Sequence, residues 1–164
     1  MKVALYSGNH AGDALAVRTG WWLTRKAQKG PYAMVTHVEA IHAEHPDGSV
    51  TIASASIRDE GVRAKRVILN PLHWWIADVP AWDTARSIAL LDETRGEPYD
   101  WRGALATCLP GSPSSPHGFC NAWVGYPFLE ASATFGPHQF AAIAFSLGRN
   151  ATIDFFKSRD GTPV

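Results

Sequence analysis

Cys120 and His37 are the side chains with which this chain could carry out covalent chemistry. A cysteine attacks a carbonyl only as its thiolate. Gly118-Phe119-Cys120 follows a loop rich in Pro, Ser and Gly (Leu109 to His117), which places the sulfur at the start of a short helix. Free N–H groups and the macrodipole favour negative charge there. The competing reading is a buried, inert thiol, the usual state of a free cysteine. His37 lies in Thr36-His37-Val38-Glu39, inside a predicted strand. The two-residue period of a strand puts His37, Glu39 and Ile41 on one face. A carboxylate beside an imidazole fixes its tautomer and stabilises the imidazolium. The competing reading is the wet face of an antiparallel sheet carrying ordinary polar residues.

His37, Glu39 and His42 also invite a metal-site reading. The stretch HVEAIHAEH lacks the H-E-x-x-H order, and a strand sends His37 and His42 to opposite faces. Cys–His chemistry needs neither metal nor cofactor, and none is predicted. The chain carries no phosphate loop, no G-x-S-x-G elbow and no basic aromatic strip for nucleic acid.

The elements that must position these residues are legible in outline. Val3 to Tyr6, Ala33 to His42, Val50 to Ser56, Val62 to Leu69 and His73 to Val79 read as strands. His45-Pro46-Asp47-Gly48 is a strong turn, so the strands around it form a hairpin. The whole suggests a mostly antiparallel meander. Helices follow in the second half. Asp83 is a good N-cap, and Ala85, Ile88 and Leu91 or Asp92 keep a helical period until Gly96. Pro127 ends or kinks the helix of Cys120. Pro137 opens a last helix that stops at Gly148. Strands first and helices after is an α+β layout, with residues 1–164 as a single domain.

Composition narrows the field. The 164 residues are 46% hydrophobic and 18% charged, which suits one globular core. Lys plus Arg and Asp plus Glu are each 15, so no long-range field draws nucleic acid or anionic lipid. The start MKVALYSGNHAGD lacks the apolar core of a signal peptide, and no run approaches a membrane span. The expectation is a cytoplasmic product as synthesised. Release on lysis or packaging in a virion leaves the same trace. Cys108 and Cys120 are too few for a disulfide framework, and Cys108 follows an apolar run as a buried, ordinary thiol would. The seven tryptophans read as core or as the wall of an aromatic cleft.

The order of these features resembles one family. Thr36-His37-Val38-Glu39 precedes Ala53 to Arg63, then Trp74 or Trp75, then Pro98-Tyr99-Asp100-Trp101-Arg102-Gly103, then Gly118-Phe119-Cys120-Asn121-Ala122-Trp123-Val124. From about Val35 to about Gly148 the chain resembles the circularly permuted NlpC/P60 proteins, the YiiX/YebB-like group, and above all their small phage and prophage members. The resemblance implies a papain-like core, in which a Cys at a helix N-terminus packs against a small antiparallel sheet that carries the His. It implies Cys120 as nucleophile, His37 as base and Tyr99 as an aid to substrate or oxyanion binding. Trp101 and Asn121 belong to the same matched segments and are expected on the substrate side. The implied substrate is a peptide stem of peptidoglycan; some relatives act on lipid amides or esters.

Two departures matter. Cys120 is followed by Asn121-Ala122 where relatives often carry Ser-Glu. The strand after the His strand, where the third polar member usually sits, reads Thr51-Ile52-Ala53-Ser54-Ala55. Glu39 is the expected third member because a carboxylate stabilises an imidazolium and a hydroxyl does not. Ser54 is the weaker substitute. The departures also leave open a different class, a binding or structural module such as a phage tail component on the same scaffold.

Overall fold

The computed structural model describes residues 1–7, 32–80, 82–106, 120 and 123–125, with 18, 19, 22, 25 and 26. Its framework is a five-stranded antiparallel sheet with helices, an α+β arrangement. The strands are β1 (Lys2–Tyr6), β2 (His37–Glu44), β3 (Val50–Ser56), β4 (Gly61–Val67) and β5 (Trp74–Asp78), and the helices are α1 (Thr84–Thr94) and α2 (Trp101–Ala106).

The spatial order is β4-β3-β2-β1-β5. The expected meander holds for β2, β3 and β4. The fifth strand departs from it: β5 pairs with β1, where Leu5 faces Trp75, and not with β4. The reason lies in β1. Val3, Ala4 and Leu5 are fully buried, so this short apolar run is covered on both faces, with β2 on one edge and β5 on the other. β2 also begins later than expected. Tyr32 to Met34 form a turn in which Val35 N–H bonds to the Tyr32 carbonyl, so His37 opens the strand. The β2–β3 hairpin forms as expected, with Gly48 at φ 78° in the turn.

The two faces of the sheet differ. Val3, Leu5, Val38, Ala40, Ala53 and Ala55 point to one side and pack with Leu90 and Leu91 of α1 and with Trp123 and Val124. The many alanines let the helices approach the strands closely. The Asp83 side chain accepts from Ala85 N–H at 2.9 Å and caps α1. Its buried stripe is Ser87, Leu90, Leu91 and Thr94, one position round from the expected phase, and Ile88 is 41% exposed. The other face carries Tyr6, His37, Glu39, Ser54, Arg63, Lys65 and Trp74.

The segment after α1 is stitched to the edge of β4. Val62 N–H bonds to the Glu97 carbonyl at 2.9 Å, and Tyr99 N–H to the Glu60 carbonyl at 3.2 Å. The approach is so close that a Cβ on Gly61 would lie 2.1 Å from the Glu97 oxygen. Only glycine permits this seam, which both shields an edge strand and places Tyr99.

Candidate active site

His37 opens β2, the central strand of the five. Its ring is built into a chain of partners. Nε2 lies 2.8 Å from Glu39 Oε1. A carboxylate only accepts, so Nε2 carries the hydrogen. The side chain of Cys120 is the other hydrogen-bond partner of the ring. With Nε2 engaged by Glu39, Nδ1 is the nitrogen left for the sulfur. Trp74 meets the ring edge-on, with centroids 6.5 Å apart, and packs in turn on Tyr6 at 4.8 Å.

Cys120 is held by its neighbours one turn on. Cys120 and residues 123–125 are helical, which puts Cys120, Trp123 and Val124 on one side. Trp123 is wholly buried, and its indole N–H bonds to Thr94 Oγ1 at 2.9 Å. Thr94 Oγ1 itself donates to the Leu90 carbonyl at 2.7 Å. An aromatic anchored against α1 therefore carries the thiol to the end of the His strand, across 83 positions of sequence (120 − 37).

Glu39 is 1% exposed, which removes the reading of a solvated strand face. Arg63 grips it as a fork: Nη1 donates to Oε2 and Nη2 to Oε1, both at 2.7 Å. Arg63 Nε donates to Asp59 Oδ2 at 2.6 Å, and Lys65 shares the same oxygen at 2.7 Å. Ala40 pairs with Ala53, and Ser54 with Arg63, so Ser54 is the β3 residue between Glu39 and Arg63. Its small side chain lets the guanidinium cross above it, 3.5 Å from Ser54 Oγ. Ser54 Oγ donates to the Ala55 carbonyl and has no bond to His37.

These contacts set the charges. Burial alone would push the His37 imidazole down. The Cys120 sulfur and the Glu39 carboxylate outweigh it and raise its pKa from 6.5 to about 9. Burial would likewise raise the Glu39 carboxyl, but His37 and then Arg63 hold it far below the usual carboxylate range. Tyr99 is pushed well above the ordinary phenol value by burial, with Cys120 and Asp100 adding to the shift. It keeps its proton at neutral pH and stands close to the Cys120 side chain.

Of the remaining candidates, Trp101 is 54% exposed, with the Arg102 guanidinium over its ring at 5.4 Å. Asn121 and Cys108 lie outside the described residues, as do the loop before Cys120 and the expected helix from Pro137. His42 is on the opposite face of β2, bonded to Ser87 Oγ at 2.9 Å, so it shares no site with His37 and Glu39. Among the described residues no group of three or more His, Cys, Asp or Glu could hold a metal. A cavity of about 180 Å³ opens beside the His37 ring, lined by Tyr6, Glu39, Arg63, Lys65, Ile68 and Trp74.

Sequence reasoning missed Arg63 and Asp59 as parts of the site. A signal was present: Arg63 and Lys65 alternate with Val62 and Ala64 on a strand whose neighbours are almost wholly apolar or small. Such a cation on a buried strand face demands an acidic partner. Comparison with protein-family models, curated proteins and solved structures finds no match.

Proposed function

We propose that the protein is a thiol hydrolase of amide bonds, with Cys120 as nucleophile, His37 as general base and acid, and Glu39 as the residue that orients His37. One observation carries this reading: the half-buried His37 ring is bonded on one side to Cys120 and on the other to an ionised Glu39. An inert buried cysteine has no need of a charged, oriented imidazole beside it.

The steps follow from the donors and acceptors. The charged His37 ring already holds the proton given up by the Cys120 thiol, and the sulfur attacks the carbonyl carbon of the substrate. The carbonyl π electrons move to oxygen. The Cys120 backbone N–H and the protonated Tyr99 hydroxyl are the donors for that oxyanion. The imidazolium gives its proton to the amide nitrogen, the C–N bond breaks and the amine departs. Water, deprotonated by the same ring, cleaves the thioester and restores the thiol. Throughout, the Nε2–H···Oε1 bond to Glu39 keeps the ring in one tautomer and one orientation.

The substrate class is the peptide stem of peptidoglycan, as the resemblance to permuted NlpC/P60 hydrolases implies, on a papain-like core. The cavity that touches the His37 ring offers a mixed lining beside it, apolar at Ile57 and Ile68 and polar at Arg58 and at Lys65, which is itself bonded to Asp59. Zymography on cell walls, with mass spectrometry of the released fragments, tests the proposal. The expected result is new peptide termini that fail to appear with Cys120→Ser. Intact walls after incubation with the folded wild-type protein would refute the substrate class.

A further inference from the structure

We propose that Arg63 is a positioning residue for the Cys120–His37 pair, acting through Glu39, with Asp59 as its own anchor; the inference rests on the thiol-hydrolase reading. Arg63 touches neither the sulfur nor the imidazole. It holds both oxygens of Glu39 at 2.7 Å, and its third edge is tied to Asp59 at 2.6 Å. Arg63 and Glu39 side chains are 15% and 2% exposed.

The physical need for Arg63 is twofold. The last torsion of a glutamate is broad and soft, so one bond to His37 would leave the carboxylate free to turn. A guanidinium fork fixes the carboxylate plane with two parallel bonds, and so aims Oε1 at the imidazole. A buried carboxylate facing an imidazolium could also relieve its desolvation by taking the ring proton. Arg63 removes that option, since its charge and bonds help keep Glu39 ionised. Glu39 then accepts from Nε2 whether or not Nδ1 is protonated, and the ring stays aimed at the sulfur through both halves of the reaction.

Asp59 sits in the turn between β3 and β4, where Glu60 takes φ 61°. Its bond to Arg63 Nε prevents the guanidinium from swinging off Glu39. The device is a relay of fixed geometry: turn, fork, carboxylate, ring.

The test is a double-mutant cycle on the rate of Cys120 alkylation by iodoacetamide at neutral pH, followed by mass spectrometry of the Cys120 peptide in the full chain. Arg63→Gln is expected to slow alkylation about tenfold, within the coupling range of contacting residues. In the Glu39→Gln background the same change is expected to alter the rate by less than about twofold, because Arg63 acts only through the carboxylate. Arg63→Lys, which keeps the charge and loses the fork, should fall between wild type and Arg63→Gln. Equal slowing in both backgrounds, or none in either, overturns the proposal. Should Arg63→Gln fail to fold, Asp59→Asn replaces it, its side chain being 24% exposed. A loss of about threefold that vanishes in Glu39→Gln is then expected, and an unchanged rate overturns the proposal. An alkylation rate indifferent to His37→Gln would remove the thiol-hydrolase reading and this inference with it. Dependence on His37 and Glu39 without dependence on Arg63 would remove this inference alone.

Discussion

His37 and His42 sit on the same strand, five positions apart, on opposite faces of the sheet, and their protonation is driven in opposite directions. Burial lowers His42, whose close partner is the neutral hydroxyl of Ser87. Burial also works against His37, yet the sulfur of Cys120 and the carboxylate of Glu39 lift it to about 9. Burial of a histidine therefore says little about its charge; the charged neighbours decide. On the helix side the sheet has an alanine-rich surface that accepts a neutral imidazole. Its other face builds an ionic chain from Asp59 through Arg63 and Glu39 to His37.

The largest expected effect is on turnover. Cys120→Ser or His37→Gln should lower kcat/KM by a factor on the order of 10³ or more, since each removes a member of a unit that acts together. His42→Gln should leave it within about twofold, as expected for a residue outside such a unit. Comparable losses at both histidines would erase the contrast.

Glu39→Gln keeps the shape and removes the charge. It should lower kcat at least ~10-fold with KM little changed, because the lost interaction acts on the imidazolium. Ser54→Ala should cost far less, since Ser54 bonds to the Ala55 carbonyl and lies under Arg63. Normal turnover in Glu39→Gln with a large loss in Ser54→Ala would move the orienting role to β3.

Stability should also report the two histidines with opposite sign. A raised folded pKa means that the folded chain holds its proton more tightly. The stabilisation from His37 is therefore complete below about 6.5 and disappears as pH rises through about 9. Denaturant unfolding across that range should show a decline that His37→Gln abolishes. His42, lowered in the fold, should instead cost stability as pH falls below its ordinary range, a smaller effect removed in His42→Gln.

Much of the frame was legible in local signals. Period-two alternation and the Pro-Asp-Gly turn located the β2–β3 hairpin, and Asp83 located the start of α1. The pairing of β5 with β1 was not, because strand order depends on which strand can be buried on both faces. The phase of α1 was missed for a similar reason: Ser87 and Thr94 are buried by their hydrogen bonds to His42 and Trp123, which no apolar period reveals. At the site, the shared face of His37 and Glu39 followed from strand period alone. The fork from Arg63 did not, since it spans β3 and needs the small Ser54 beneath it.

The central claim is that Cys120 and Glu39 together hold the His37 ring as a charged, oriented partner of the sulfur. Its most direct test is the NMR titration of the His37 imidazole in the wild-type chain and in Cys120→Ala. The account predicts a midpoint near 9 in the wild type and a clear fall when the sulfur is removed, because Cys120 is the leading cause that raises it. A midpoint near the ordinary 6.5 that is indifferent to Cys120→Ala would contradict it.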